Sequence, residues 1–221
     1  NKIVVPSEGI KKTLLRYRLP EKKLKFIPNP VSLPKNIRGK DQLDKNLNEN
    51  NFILGAGRLE YQKGFDILIR SFAKIDDKKI KLVIVGEGSQ KFELIKLAKN
   101  LNIEEKRIIF PGAVNNISFW FKKATMFTLS SRFEGWPNVL MEALACGCPA
   151  IAFDCKHGPR EIIKDYENGI LVSPENEIML TQAINTLNFS SVLQKTFRKN
   201  GQLTAKKFKS QNIANRWFQI L

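Results

Sequence analysis

Short apolar runs alternate with amphipathic segments along most of this chain. Buried parallel strands carry side chains on two covered faces and therefore appear as nearly continuous apolar runs. The alternation predicts an α/β protein with a doubly wound, Rossmann-like parallel sheet. The strand-like runs are KIVVPS, LKFIPNP, NFILGAG, KIKLVIVGEG, RIIFPGAV, MFTLSS, CPAIAFD and NGILVS. The helix-like segments are residues 8–18, FDILIRSFAKI, QKFELIKLAKNL, ISFWFKKA, the segment after Pro137, the short turn PREIIKD, PENEIMLTQAINTL, and residues 190–220 with a break near Ser210.

A polar stretch interrupts this pattern early in the chain. Residues 34–50, PKNIRGKDQLDKNLNEN, have almost no apolar periodicity and are typical of a loop or linker. The pattern therefore divides the chain into a first unit at residues 1–30, a linker at 31–50, a regular body at 51–190 and C-terminal helices at 191–221.

The chain is strongly basic. Its 221 residues include 37 Lys and Arg against 21 Asp and Glu, for a formal charge of +16. Three interpretations are open: a solvated lysine-rich surface, an anionic membrane surface as a partner, or nucleic acid. No zinc-ligand spacing, RNP-type motif or clear helix-turn-helix supports nucleic acid, so we expect no nucleic-acid partner.

The cysteine content and the hydropathy of the chain indicate the cellular compartment of the protein. Cys146, Cys148 and Cys155 are interpreted as small buried residues in a reducing compartment, and a single histidine argues against a zinc site. There is no run of 18 apolar residues and no visible signal peptide. We expect a cytoplasmic protein. The chain begins with Asn1 rather than Met, and we expect the true N-terminus to be missing.

The most informative motif is SRFEGWPNVLMEALACGCP, residues 131–149. Pro137 suits the first turn of a helix, and Gly147 with the proline after it suits its end. Glu134 should then lie on the loop after a strand, and Glu142 one to two turns inside the helix. The helix start between them offers free amides and a positive dipole, which favour a phosphate, while the carboxylates favour sugar hydroxyls. A sugar nucleotide supplies both, although a loop and a surface carboxylate without a ligand remain the alternative.

A second motif, GAGRLEYQKGFD at residues 55–66, follows the first strand of the regular body. Gly55 and Gly57 allow a ligand to approach the backbone closely. Arg58 and Lys63 are two cations that could hold a diphosphate. The motif matches neither a Walker loop nor a dinucleotide fingerprint, and a tight turn with two surface cations is the alternative.

Weaker candidates follow the other strands. Gly86 in VGEGS could face a base or ribose, and backbone groups of Gly112, Ala113 and Val114 could bond a base edge. The only histidine, His157, lies in DCKHGPREII, where a structural or solvated role is favoured over a chemical one. Glu161 is expected to cap its own turn. All these motifs should lie at the carboxyl edge of the sheet, where doubly wound folds bind ligands.

No Asp-x-Asp motif follows a strand. Sugar-nucleotide enzymes that hold the diphosphate through a metal usually need such carboxylates. The sequence therefore predicts metal-independent chemistry with no metal site and no cofactor, in which Arg58, Lys63 and the helix start near Asn138 neutralise the diphosphate.

Together these motifs resemble the C-terminal half of the retaining family 4 glycosyltransferases, which have the two-domain GT-B fold. The resemblance runs from about Asn51 to Leu187, and Glu134 to Glu142 matches the family's E-x7-E element. It rests on GRLEYQKGFD, LVIVGEGS, IIFPGAV, EGWPNVLMEALACGCPAIA, GPREII and NGILV, in the family's order and spacing. Trp136 stands where the family often has Phe.

The resemblance implies a role for each candidate residue. Arg58, Lys63 and Glu134 would form the catalytic group, with the two cations on the donor diphosphate and the carboxylate on the donor sugar. Glu142 would hold the ribose hydroxyls. The donor-binding residues would be Gly57, Gly86, Gly112, Ala113, Val114, Asn138, Val139, Leu140 and Glu142.

The resemblance also implies an organisation and an activity. Residues 1–30 would be the end of the N-terminal acceptor domain and its hinge, residues 51–190 the donor-binding domain, and residues 191–221 helices that pack back toward the acceptor domain. The protein would transfer a hexose or N-acetylhexosamine from a UDP-sugar to a glycan or lipid-linked acceptor in bacterial surface-polysaccharide synthesis. The chain alone is expected to bind nucleotide weakly and to transfer nothing. A non-catalytic nucleotide-sugar-binding module is the alternative, and an anionic membrane surface at the inner face of the cytoplasmic membrane is the expected resting place.

Overall fold

The computed structural model describes residues 2–31 and 51–220. The expected linker at 31–50 lies, except for Val31, outside these residues. The strands are β1 Ile3–Val5, β2 Leu24–Phe26, β3 Phe52–Ala56, β4 Lys81–Val85, β5 Ile108–Gly112, β6 Met126–Leu129, β7 Ala150–Phe153 and β8 Ile170–Val172. The helices are α1 Glu8–Arg16, α2 Phe65–Ala73, α3 Lys91–Asn100, α4 Ile117–Lys123, α5 Asn138–Ala145, α6 Pro159–Ile162, α7 Glu177–Phe189, α8 Ser191–Lys206 and α9 Ser210–Phe218.

The strands described in these two ranges form two parallel sheets. The larger sheet has six strands in the order β5-β4-β3-β6-β7-β8, and β1 pairs with β2 in a separate sheet. The predicted doubly wound parallel sheet is therefore confirmed. The predicted helix at residues 8–18 ends at Arg16, and the break expected near Ser210 lies between α8 and α9.

Alternating strand side chains build a core on each face of the six-stranded sheet. Ile53 and Met126 belong to the core that α2, α3 and α7 cover, whereas Leu54 and Phe127 belong to the core under α4 and α5. Both cores are fully buried at these positions. Covering both faces explains why each strand appears in the sequence as an unbroken apolar run.

The first unit packs against the carboxyl edge of the larger sheet. The ring of Phe26 in β2 lies 6.3 Å from that of Trp136, which in turn lies 5.3 Å from Phe208, just after α8. The amide of Val31 donates to the carbonyl oxygen of Phe208 over 2.8 Å. Trp136 therefore joins the first unit, the site loop and the C-terminal helices.

The three cysteines are buried and free, as predicted. Burial raises the pKa of the Cys155 thiol to about 11, so it stays protonated at neutral pH. None of these thiols has the exposed, electropositive setting of a reactive cysteine.

Candidate functional site

The order of the strands reverses in the middle of the larger sheet. From β3 the chain proceeds through β4 to β5 on one side, and then returns to β6, β7 and β8 on the other. At such a switch point the two neighbouring loops diverge and leave a crevice beyond the strand ends, where α/β sheets bind ligands. The loops on either side here are residues 57–64 after β3 and residues 130–137 after β6.

These two loops pack closely against each other. Gly64 has a positive φ of 60°, and a side chain at this position would overlap the carbonyl oxygen of Ser130. The hydroxyl of Ser130 donates to the carbonyl oxygen of Lys63 over 2.9 Å. Glycine is therefore required at Gly64 by both conformation and space.

Lys63 and Glu134 meet across the switch point. The Nζ atom of Lys63 lies 2.6 Å from Oε1 of Glu134, and their side chains are only 14% and 7% exposed. The hydroxyl of Ser131 donates to the same carboxylate oxygen over 2.8 Å. The two residues that the sequence assigned to different parts of a ligand thus form one buried ion pair, in a setting where charge interactions are stronger than in water.

Arg58 lies at the outer side of this loop. Its side chain is exposed, and Nη2 contacts Oε1 of Gln62 at 3.4 Å. Gln62 in turn donates from Nε2 to the carbonyl oxygen of Phe133 over 3.0 Å. Arg58 is therefore near the pair through Gln62, but the structure does not join it to Lys63 or Glu134 by a hydrogen bond among the described residues.

Helix α5 begins at the crevice, at Asn138, as predicted. Pro137 is the N-cap rather than a first-turn residue, because its ψ of 90° is not helical. The amide of Leu140 donates to the carbonyl oxygen of Pro137 over 3.0 Å. That leaves Asn138 and Val139 as the first-turn amides without an acceptor inside the helix. The side chain of Asn138 accepts a hydrogen bond from Asn29 over 3.0 Å.

Glu142 lies one turn further along α5, on the same face as Asn138. Its side chain is half-buried, and burial raises its pKa above the ordinary value of a glutamate. A carboxylate in such a place lacks hydration and gains from hydroxyl donors of a ligand.

Glycines at the carboxyl ends of β4 and β5 complete this edge, with Gly86 just after β4 and Gly112 as the last residue of β5. Gly86 has a φ of 138°, and a side chain there would overlap the carbonyl oxygen of Gly57. The amide of Gly86 donates to the carbonyl oxygen of Gly112 over 2.9 Å. Beyond it, Ala113 is exposed and Val114 is half-buried. The predicted donor-binding glycines therefore form a row along the ends of three adjacent strands, β5, β4 and β3, and β3 is the neighbour of β6, which precedes Glu134.

The loop after β7 corrects one prediction. Glu161 does not cap its own turn: its two carboxylate oxygens accept from the amides of Glu8 and Gly9, over 2.8 and 3.0 Å. It therefore caps α1 of the first unit. His157 contacts the hydroxyl of Thr13 through Nε2 at 3.4 Å. Burial and the nearby charge of Lys156 lower the pKa of His157.

Two charged residues of the site were missed in the sequence. Arg132 makes a double ion pair with Asp66 in the first turn of α2, with Nη1–Oδ1 at 2.9 Å and Nη2–Oδ2 at 2.8 Å. Both residues lie inside the motifs quoted above. The sequence shows an arginine two residues before Glu134, but it does not show that the partner of this arginine is Asp66, because that contact depends on how the two loops pack.

Within residues 2–31 and 51–220, no group of three or more His, Cys, Asp or Glu residues is arranged to hold a metal ion. No helix in the same ranges is long and apolar enough to cross a membrane.

Comparison with known proteins places this geometry in a family. The family described as "Glycosyl transferases group 1" matches residues 38–204. The chain is 37% identical over 198 residues to the N-acetylgalactosamine-N,N'-diacetylbacillosaminyl-diphospho-undecaprenol 4-alpha-N-acetylgalactosaminyltransferase of Campylobacter jejuni, across 90% of this chain and 53% of the relative. It is 36% identical over 174 residues to the amylovoran biosynthesis glycosyltransferase AmsD of Erwinia amylovora, across 78% of this chain and 48% of the relative. The chain thus spans about half the length of these curated relatives.

Solved structures show the same fold. Anabaena Alr3699/HepE in complex with UDP superposes with a TM-score of 0.88 at 22% identity, over 99% of this chain and 63% of that one. TarM superposes with a TM-score of 0.84 at 22% identity, over 99% of this chain and 43% of that one. The six-stranded sheet with its covering helices is the Rossmann-like fold of GT-B glycosyltransferases. Because the family match covers well over half of the sequence, the chain belongs to the glycosyl transferases group 1 family.

Proposed function

We propose that this chain is the donor-binding part of a retaining glycosyltransferase. In this proposal the enzyme transfers a hexose or N-acetylhexosamine from a nucleotide-diphosphate sugar, a UDP-sugar, to a glycan or lipid-linked acceptor. The observation that carries the proposal is the buried pair of Lys63 and Glu134 at the switch point, beside the start of α5. A cation for the diphosphate and a carboxylate for the sugar are thereby held at one place.

The proposed chemistry is electrostatic. When the bond between the anomeric carbon and the diphosphate oxygen breaks, negative charge develops on the diphosphate. Lys63, Arg58 and the amides of Asn138 and Val139 stabilise that charge, and preorganised donors of this kind are the largest single contribution in many enzymes. The acceptor hydroxyl attacks from the face that the leaving group departs and passes its proton to the departing diphosphate oxygen, so the new glycosidic bond forms with the anomeric configuration retained. Neither Glu134 nor Glu142 acts as a general base.

The row of strand ends supports an extended nucleotide. Gly112, Gly86 and Gly57 follow three adjacent strands and lead to the Lys63–Glu134 pair. In our proposal the base lies by Gly112, Ala113 and Val114, the ribose lies on Glu142, and the diphosphate lies between Gly57 and α5. A UDP complex of Anabaena HepE has the same fold, which supports UDP as the nucleotide.

The names of two relatives and the net charge of the chain support a lipid-linked acceptor. The name of the Campylobacter jejuni relative specifies an undecaprenol diphosphate acceptor, and AmsD is named for amylovoran biosynthesis. Undecaprenol is a membrane lipid, and the charge of +16 favours an anionic bilayer surface. Sedimentation with neutral and anionic liposomes tests this: we expect binding to anionic vesicles only, and equal binding to both would contradict it.

Two measurements test the enzymatic proposal. Calorimetry should show UDP binding that Glu142→Ala abolishes and that added duplex DNA does not change. Donor turnover by the full-length protein should then separate an enzyme from a non-catalytic binding module, which would bind UDP without consuming the donor. We expect turnover to persist in the presence of a chelator. Loss of turnover on chelation, restored by a divalent ion, would contradict metal independence.

A further inference from the structure

Lys63 lies on a loop with little regular structure to hold it. Residues Tyr61–Lys63 form a single 3-10 turn, and Gly64 ends that turn in a left-handed conformation. Glu134 is on an equally irregular segment between β6 and α5. Because a charge-stabilising group must be placed to within a fraction of an ångström, something else has to fix both loops.

Arg132 contacts the Lys63 loop in three ways. Its backbone amide donates to the carbonyl oxygen of Gln62 over 2.8 Å. Its Nη1 donates to the carbonyl oxygen of Tyr61, also over 2.8 Å. Its guanidinium lies 4.0 Å from the centre of the Tyr61 ring, a cation–π distance. Arg132 therefore contacts the turn that ends at Lys63 with its backbone amide, with the edge of its guanidinium group and with the face of that group.

The same guanidinium is anchored to two further elements. Its double ion pair with Asp66 ties it to the first turn of α2, and Nε donates to Glu175 after β8 over 2.9 Å. The Arg132 side chain is only 10% exposed. Asp66 is partly buried, yet the hydrogen bonds and charge of Arg132 outweigh that burial and lower its pKa. The planar fork of arginine matches a carboxylate with two parallel hydrogen bonds, which a lysine ammonium does not reproduce.

We propose that Arg132 is a positioning residue for the transfer reaction, which fixes Lys63 against Glu134 by locking the loop after β3 to the loop after β6. Arg132 itself touches neither donor nor acceptor. This inference rests on the proposed function, since it gives the Lys63–Glu134 geometry a catalytic purpose.

The test compares two arginines that bind the same carboxylate. Arg70 also pairs with Asp66, and its Nε lies 2.9 Å from Oε1 of Glu177, but none of its ion pairs involves residues 57–64. Arg132→Lys and Arg70→Lys each keep the charge and remove an arginine fork. If the variants act only by weakening the ion pairs of Asp66 and so the stability of the fold, both should show the same effect. If Arg132 fixes the position of Lys63, only Arg132→Lys should change the properties of Lys63.

Two readouts are measured in the full-length protein. The first is the rate of reductive methylation of Lys63, followed by mass spectrometry. Arg132→Lys loses the charge-assisted hydrogen bonds of the Arg132 guanidinium, so the methylation rate of Lys63 should rise about tenfold. In Arg70→Lys the rate should stay within about twofold of the wild-type rate. The second is donor turnover, where Arg132→Lys should lower kcat by about tenfold to a hundredfold, because small misplacements of a catalytic group are costly. Donor KM should change less than kcat.

The methylation rate of Lys63 tests the role of Arg132 even if the protein transfers no sugar. A wild type that neither binds UDP nor turns over donor would refute the proposed function, while a raised Lys63 rate in Arg132→Lys would still support the locking role. An unchanged Lys63 rate in that variant, or an equal rise in Arg70→Lys, would overturn the inference. If Arg132→Lys does not fold, Asp66→Asn replaces it, since it removes the fork's acceptor and leaves Arg132 in place; the same rise in Lys63 labelling is expected.

Discussion

Lys63 and Glu134 are bonded to each other, Nζ to Oε1 over 2.6 Å, although 71 positions separate them in the sequence. With both side chains largely buried, removing either one leaves an uncompensated charge in a poorly solvated place. In the proposed reaction a diphosphate shares Lys63 with Glu134, so the pair fixes the position of the ammonium group before the donor arrives.

The first prediction concerns the two cations. Lys63→Ala and Arg58→Ala should each lower donor turnover by roughly two to three decades, because each removes a preorganised charge that stabilises the leaving diphosphate. Steady-state kinetics of the full-length protein measures this. Lys99→Ala is the control, since Lys99 is exposed and, in the part of the chain that the structure describes, its ion pair is with the exposed Glu105. Unchanged rates in both site variants would discard the assignment.

The second prediction concerns stability and pH at Glu142. Burial raises the pKa of Glu142 in the folded protein, so the folded state keeps this proton to higher pH than the unfolded state. Its ionisation therefore destabilises the fold increasingly as the pH rises from the unfolded value, about 4.3, through the folded value. Glu142→Gln should be more stable than wild type near neutral pH and equally stable below about pH 3.5. Denaturant unfolding at both pH values measures the difference.

The exposed Glu105→Gln serves as the control for Glu142→Gln, and it should show no such pH-dependent gain. The same Glu142→Gln protein should bind UDP more weakly than wild type, because a neutral amide accepts ribose hydroxyls less well than a carboxylate. A gain in stability that is equal at both pH values would contradict the role of burial.

The third prediction concerns the packing of two loops. Gly86→Ala places a methyl group on the carbonyl oxygen of Gly57 and forces a non-glycine residue to a φ of 138°. The free energy of unfolding should fall by about 1–3 kcal/mol or more, and UDP affinity should fall with it. Thermal melts with and without UDP give both quantities.

Gly147→Ala, just after the end of α5, is the matched control for Gly86→Ala. Gly147 also has a positive φ, of 73°, but there the added methyl group meets the end of the exposed Gln202 side chain at 2.9 Å and no backbone atom. UDP affinity should stay at the wild-type value. Normal UDP binding by Gly86→Ala would show that this loop contact has no part in the nucleotide site.

The fourth prediction concerns the cap of α1. Glu161→Gln leaves one acceptor oxygen for the amides of Glu8 and Gly9 and keeps the N-cap Ser7, so it should cost about 0.5–1.5 kcal/mol, the range for one hydrogen bond. Amide hydrogen exchange at these two residues should accelerate. Glu167→Gln, an exposed change nearby, should leave their exchange unaltered. Equal exchange in wild type and Glu161→Gln would mean that the cap contributes nothing measurable.

The sequence alone was sufficient for the architecture and for the edge of the sheet at which the candidate residues lie. Apolar runs such as NFILGAG and MFTLSS are local signals, because a strand buried on both faces needs apolar side chains wherever it lies in the sheet. The glycines and the E-x7-E element were visible for the same reason, since turn conformation and helix starts are decided within a few residues.

The tertiary structure decided which of these residues meet. Lys63 pairs with Glu134 only because β3 and β6 are neighbours at the point where the strand order reverses. Glu161 caps α1, and not its own turn, across 153 positions of sequence. Arg132 holds the loop of Lys63 through Asp66 and Tyr61. Such contacts depend on sheet order and loop packing, which no local pattern encodes, and so the candidate residues were predictable while their partners were not.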